Sequence, residues 1–555
     1  MSNTSSEKPD LASDYYLTNF QFLVDWVVQR YADLLNEDER EFVSRFQQLE
    51  RDSQCLLVRL SSRKGPLFRR SKLRYAEIDS IDEAALKLIQ AGLLSNNQPL
   101  SLSELCDSLT KGELLQLFKA HINNGKHLRK EEIVADLIQQ FPAPKLWREW
   151  TENQLGDAYY LDNRSIISNL LLLFFGNTYQ DLTEFVLQDL GLYRYENYVI
   201  DQQHRIFKSR SEIEQYQLLM TLREQLERAA TLEDLIHITT LLPTTATSNK
   251  LERRRARLCN QLAYQLERAN EQSLALKLYT QNEIPPARER RIRLLEKQGE
   301  LSAAWVLLQE IQANPFNEEE LQIARRMTPR LAKKLGEPSI QKTLPTIIEK
   351  YLELGAAYDD EGNRFSVEEA ARQFLHTDNA PCFYVENILL TGLFGLWLWP
   401  EMFRGIEGAF ANPFQIAPLD MYQEDFARNR PGLQQLWDLF DQDNHHQHIF
   451  SVWDDKYGIA NALVNWSILD RELIAMALDC IPKAHLKRIF ERLLFDLKSN
   501  RSGLPDLIQF YPAEKTYCMI EIKGPGDRIQ DNQERWLKYF SLHGIPAEVC
   551  YVRWR

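Results

Sequence analysis

Two short stretches near residue 500 constrain this chain most: Gly503-Leu504-Pro505-Asp506-Leu507-Ile508 and Met519-Ile520-Glu521-Ile522-Lys523-Gly524. Both are apolar, β-branched and bounded by Gly or Pro, which predicts two neighbouring strands. Side chains alternate faces along a strand. Glu521 and Lys523 therefore share one face, while Ile520 and Ile522 point into apolar packing. Two strands of a twisted sheet can bring Asp506 beside Glu521. The result is a two-carboxylate nest for a hard divalent cation, with an ammonium next to it.

Phosphodiester hydrolysis needs such a set. A bound ion polarises the phosphoryl oxygen, lowers the pKa of a water and steadies the leaving oxygen. A lysine can position that water and stabilise charge in the transition state. The plainer reading is an exposed strand with a surface Glu–Lys pair, and a bare Glu-x-Lys is mostly that. Here an Asp follows a Pro fifteen residues earlier and a Gly-Pro turn follows the Lys, which favours the catalytic reading.

The run Gly503-Leu504-Pro505-Asp506 … Glu521-Ile522-Lys523-Gly524-Pro525-Gly526-Asp527-Arg528 … Gln533-x-x-Trp536-Leu537 resembles the virus-type replication–repair nuclease domain, a branch of the PD-(D/E)xK nucleases. Within it, the Fanconi-associated nucleases match best. The resemblance continues upstream through Phe403-Arg404-Gly405-Ile406, Pro413-Phe414-Gln415-Ile416-Ala417-Pro418-Leu419-Asp420 and Trp453 to Trp466, and is strong over 380–555. It implies that Asp506, Glu521 and Glu386 hold Mg²⁺ or Mn²⁺, with the Ile522 carbonyl as a further ligand. Lys523 orients the water, and Gln533 reaches the site. It also implies a structure-selective enzyme, a 5′-flap endonuclease and 5′-to-3′ exonuclease of interstrand-crosslink repair. The partner implied is branched or 5′-flap DNA.

Composition sets outer bounds. At 555 residues one core is too few, and three or four domains are expected. The start, Met1-Ser2-Asn3-Thr4-Ser5-Ser6-Glu7-Lys8-Pro9-Asp10, has no basic region followed by an apolar core, so no signal peptide is expected. The seven cysteines, at 55, 106, 259, 382, 480, 518 and 550, lack Cys-x-x-Cys spacing and read as reduced thiols without structural zinc. Vertebrate members of the resembled family carry a ubiquitin-binding zinc finger. No such Cys/His set is evident here, which implies the bacterial-type form, cytoplasmic and nucleoid-associated when on DNA. No nucleotide cofactor and no membrane segment are expected. The net charge of −13 argues against nucleic acid in general, but the field at a binding face is what matters.

That field is patchy. Arg59 to Tyr75 holds Arg59, Arg63, Lys64, Arg69, Arg70, Lys72 and Arg74 and no acid around a central Gly-Pro, as a loop or hairpin tracking a phosphate backbone would. The alternative is a solvated basic surface. Ser101-Leu102-Ser103-Glu104 is a helix-start signal. An amphipathic helix over Thr110–Lys119, a turn at His121–Gly125 and a helix from Lys126 resemble a SAP module. Lys111, Lys126, Arg129 and Lys130 would hold phosphates at helix starts. Arg501 and Arg528 flank the nuclease stretches as further contacts.

The domains expected are 1–98, helical with the basic loop; 99–145, the SAP-like pair; 146–235, further helices; 236–370, tetratricopeptide-like helical repeats; and 371–555, the nuclease. Arg253, Arg254, Arg255, Arg257, Arg288, Arg290, Arg291 and Arg293 make the repeats locally basic, as a scaffold with solvated faces or as a DNA contact. Phe383–Trp399 reads as one apolar helix. Glu386 on it is either at its wet end or on a metal, and by resemblance, thirteen residues before Trp399, it is the third carboxylate. Asp441 to His448 reads as a polar loop rather than a metal site.

The fold class expected is a mostly α multidomain protein with a C-terminal α/β nuclease domain built on a small mixed sheet. Two rival functions remain: a Holliday-junction resolvase or restriction-type cutter, and a non-catalytic DNA-binding scaffold.

Overall fold

The computed structural model describes residues 12–555 except 64, 123–126, 183–192, 339–345, 356–357, 359–361 and 363. Lys64 and Lys126 therefore lie outside the described residues. The chain divides into two compact units. One runs up to Tyr193 and takes in Ile200–Lys208; the other comprises Arg194–Val199 and Ser209–Arg555.

The first unit starts with helices Tyr15–Tyr31, Glu37–Gln48, Arg51–Ser61 and Ile81–Gln90. Phe20, Leu23, Val27, Phe42 and Phe46 recur at helical spacing and are buried. Asn36 accepts from the Glu39 N–H while Glu39 reaches back to the Asn36 N–H, a reciprocal cap that fixes where the second helix begins. Among the described residues, strands β1 (Leu67–Arg69), β2 (Pro99–Leu100), β3 (Lys145–Leu146) and β4 (Ala158–Tyr160) form two antiparallel ribbons, β1 with β4 and β2 with β3.

Helices Leu102–Ser108, Lys111–Leu117 and Lys130–Gln140 gather round Leu105, Leu114, Ile133, Leu137 and Trp150. Ser101 and Thr110 each make the same reciprocal cap, with Glu104 and Glu113. The last of these helices begins at Lys130, four residues later than expected. The reading of 146–235 as helical is corrected as well. β4 lies within it, and residues 193–209 hold no helix.

In the second unit helices follow one another from Arg210–Arg228 to Glu318–Leu335, each packed on its neighbours. A five-stranded mixed sheet then forms in the order β5 (Ile348–Leu354), β9 (Ala547–Trp554), β8 (Thr516–Lys523), β7 (Leu507–Tyr511), β6 (Cys382–Tyr384). β8 runs parallel to β9, and β9 to β5; β7 is antiparallel to both β8 and β6. Leu507, Ile520, Ile522, Cys550 and Val552 form the core on one face.

Three expectations fail here. β5 lies inside the stretch read as helical repeats. It is an edge strand with exposed charges at Glu349 and Glu353, so no apolar alternation marks it. Phe383–Trp399 is not one helix. Cys382–Tyr384 pairs with β7, Asn387 takes a left-handed backbone (φ 52°), and the helix runs Leu389–Met402. Glu386 thus sits in the bend before the helix. Finally, His445, His446 and His448 belong to helix His445–Lys456. His448 Nε2 meets the Trp397 carbonyl oxygen at 3.0 Å and His445 stacks on Phe440, so they serve packing.

The helix Leu389–Met402 is apolar on every side and buried on every side, as a helix of that pattern must be. Its two glycines permit close packing. A Cβ on Gly392 would come within 2.8 Å of Leu469, and one on Gly395 within 2.8 Å of Leu463. That helix is the floor on which the bend at Glu386 rests. Among the described residues, no helix is long and apolar enough to cross a membrane.

Candidate active site

The β7–β8 register pairs Leu507 with Ile520. Continued by one residue, it sets Asp506 opposite Glu521. The Ile522 N–H donates to Asp506 Oδ2 at 2.7 Å, pinning the first carboxylate against the strand that carries the second. Ile520 and Ile522 lie in the core, and Glu521 and Lys523 share the other face, as alternation predicts. Lys523 Nζ donates to Glu521 Oε1 at 2.7 Å.

Across the other ladder Tyr384 pairs with Leu507, and the Val385 N–H donates to the Asp506 carbonyl at 2.9 Å. The next residue is Glu386. Its Oε2 accepts from the Tyr384 hydroxyl at 2.6 Å and its Oε1 from the Asn387 amide at 3.1 Å. Three strand ends thus bring together carboxylates from positions 386, 506 and 521.

These charges are unusually dry. Asp506 is 7% exposed and Glu521 1%. Burial pushes Asp506 up to about 6, helped by the Glu386 charge and opposed by the Ile522 N–H and by Lys523. Burial also pushes Glu521 up to about 7, with the Asp506 charge adding and Lys523 opposing. The two titrate as a pair. Burial and the bond to Glu386 raise the Tyr384 phenol. Glu521 Oε2 is buried with no hydrogen-bond partner. Adjacent buried carboxylates with an orphaned oxygen are costly for a fold and suited to a hard cation.

The residues present therefore fit a divalent ion at Asp506 and Glu521. Glu386 is held by Tyr384 and Asn387. Among the described residues, no three acidic, His or Cys side chains close into a finished metal cluster.

Gln533 Oε1 accepts the Gln530 N–H at 2.9 Å and caps helix Asp531–Leu542. Asn387 and Tyr384 were missed. The only signal for Asn387 is a polar residue beside Glu386 in an apolar run.

The basic candidates divide. Arg69 is buried against Glu113 at 2.6 Å, whereas Arg70 Nη2 donates to the exposed Asp82 Oδ2 at 2.9 Å in a surface ion pair. Arg63 lies 5.9 Å from the Tyr75 ring, and Lys72 is exposed. Arg129 and Arg528 are exposed; Lys111 and Lys130 are half-buried in the first turns of their helices. Arg501 is exposed and donates to the Tyr422 hydroxyl at 3.1 Å. In the helical repeats Arg255 pairs with Glu252, Arg288 with Glu320, Arg290 with Glu267 and Arg293 with Glu289, which commits much of that charge to the scaffold.

Three family models match parts of the chain. Residues 14–95 match the FAN1 HTH domain, 99–150 the Fanconi anemia-associated nuclease SAP domain, and 441–554 the VRR-NUC domain. Glu386 lies outside that last match. A Fanconi-associated nuclease 1 homolog of Pseudomonas aeruginosa is 40% identical over 542 residues, 97% of this chain and 96% of its own. The human Fanconi-associated nuclease 1 is 24% identical over 97% of this chain, which spans 62% of that longer relative. The crystal structure of paFAN1 bound to 2nt 5′ flap DNA with gap superposes with a TM-score of 0.82 at 39% identity, covering 99% of this chain and 100% of that one. A second, with a 1nt 5′ flap, gives 0.81 and covers 98% of this chain.

Proposed function

The chain belongs to the Fanconi-associated nuclease family, and from that premise we propose that it hydrolyses DNA phosphodiesters at 5′ flaps with Mg²⁺ or Mn²⁺. It is a structure-selective DNA nuclease, and its hydrolysis depends on a divalent metal. The observation that carries the site assignment is the pairing of Asp506 with Glu521, both dry, beside Lys523.

Asp506 and Glu521 would hold the ion, with Glu386 and the Ile522 carbonyl as further oxygens. The ion supplies Lewis-acid polarisation of the phosphoryl oxygen and a more acidic water. The chain's own residues do the rest. The Ile522 N–H fixes the orientation of Asp506. Burial of Glu521 keeps solvent from competing for its oxygens. Lys523, once its bond to Glu521 is shared with a ligand, can hold the attacking water through Nζ and offset charge on the phosphoryl group. The exposed Arg501 and Arg528 are suited to phosphate contacts. 5′-to-3′ trimming, interstrand-crosslink repair and a 5′-flap substrate belong to the same reading. The flap-bound relative supports the 5′-flap substrate; trimming and crosslink repair follow from the family resemblance alone.

Cleavage of end-labelled 5′-flap, 3′-flap, four-way and plain duplex DNA with each metal tests this. Metal-dependent cutting of the 5′ flap, lost in Asp506→Ala, is expected. Symmetric cutting of four-way junctions would make it a resolvase, and binding without cutting a scaffold.

A further inference from the structure

Asn387 occupies a joint between two parts of the site. Its left-handed backbone is one that Asn tolerates better than most residues. Its carbonyl accepts from the Thr391 hydroxyl at 2.5 Å, which ties it to the first turn of the buried helix. Its side chain points the other way. Oδ1 accepts the Leu504 N–H at 3.0 Å, and Nδ2 donates to Glu386 Oε1 at 3.1 Å.

The amide can be placed only one way round. Flipped, its NH₂ would face the Leu504 N–H and its oxygen would face a carboxylate. Leu504 lies two residues before Asp506. One amide thus spans from the loop that presents the first carboxylate to the third carboxylate, while the Tyr384 hydroxyl holds the remaining Glu386 oxygen.

We propose that Asn387 is a positioning residue for the metal site: its side-chain amide sets where Glu386 stands relative to Asp506, and so sets the affinity of the site for a divalent cation. This rests on the metal-nuclease reading above. Carboxylates that ligate metals are themselves held by hydrogen bonds, and loss of such a holder weakens metal binding roughly 10–100-fold. Glu386 needs a holder more than its partners do. Glu521 lies within β8, and Asp506, just before β7, is pinned by the Ile522 N–H, whereas Glu386 sits in a bend with no strand holding its side chain.

The test is a Mn²⁺ titration followed by EPR on the full chain, with melting of the metal-free protein in parallel. Asn387→Gly keeps the left-handed backbone without strain and removes the amide. It is made alone and on a Glu386→Ala background. Wild type should bind Mn²⁺ and Asp506→Ala should not; if wild type binds none, the metal reading and this inference fall together. Given binding, Asn387→Gly should weaken it about 10–100-fold and cause no further loss on the Glu386→Ala background, because the amide acts through Glu386. Unchanged affinity in Asn387→Gly would overturn the inference and leave the metal reading standing. So would an equal loss with and without Glu386, which would mean that Asn387 only braces the Leu504 loop.

Discussion

The basic segment from Arg59 to Lys72 and the acidic end of the C-terminal sheet are both dense in charge, and they are built in opposite ways. In the first, sequence neighbours of one sign are dispersed onto partners. Arg59 lies over Tyr16 and pairs with Glu77, Arg69 with Glu113, Arg70 with Asp82. In the second, carboxylates distant in sequence are concentrated. Asp506 and Glu521 face each other with one ammonium and one unpartnered oxygen. A run of like charge in a sequence is thus a poor guide to free charge. Like charge assembled by the fold, out of water and incompletely satisfied, is a strong sign of chemistry.

The largest effect that could break this contrast is at the sheet. Asp506→Asn should lower cleavage of a 5′ flap by about 10³-fold or more, as losing a principal electrostatic element does. It should not lower the melting temperature of the metal-free protein, because it removes a buried like charge. A large loss of stability would make Asp506 a structural acid. Next comes Arg69→Ala, which removes the charged hydrogen bond to Glu113 while Glu113 keeps its cap on Thr110, and should cost about 1.5–3 kcal/mol by denaturant unfolding. A fully stable variant that binds DNA poorly would return Arg69 to the phosphate contacts.

The pH dependence should show opposite slopes with and without metal. Asp506 and Glu521 have raised folded pKa values, so in EDTA their contribution to stability is full below the ordinary carboxylate range. It is lost as pH rises through about 6 and about 7. A bound cation needs the ionised forms, so its stabilisation should grow over the same window, by up to about tenfold in affinity per unit per proton. Melts from pH 4 to 8 in EDTA and in Mn²⁺ check this; parallel slopes would show that the pair does not hold the ion. The smallest effect is expected at Lys72→Ala, which is exposed. Stability should hold, and the slope of log affinity for DNA against log salt should fall by about one.

What the sequence made legible follows from how local each feature is. The alternation of Ile520, Glu521, Ile522 and Lys523 is a property of adjacent residues, and the site face could be read from it directly. The cap at Ser101 spans three residues and was equally plain; the same cap at Thr110 went unread. β5 could not be read because it is an edge strand whose partner lies two hundred residues on. The bend at Glu386 was hidden because its left-handed Asn387 is stabilised by Leu504, distant in sequence, and because β6 has only three residues. The pairing of Arg69 with Glu113 crosses forty-four residues and leaves no local trace.

The ladder from β6 to β7 joins Glu386 to Asp506 across more than a hundred residues of mostly helical chain. No contiguous fragment short of that span can contain the complete carboxylate set. The three carboxylates come together only once β6 has paired with β7, so the proposed site is a product of long-range strand pairing and of no single segment.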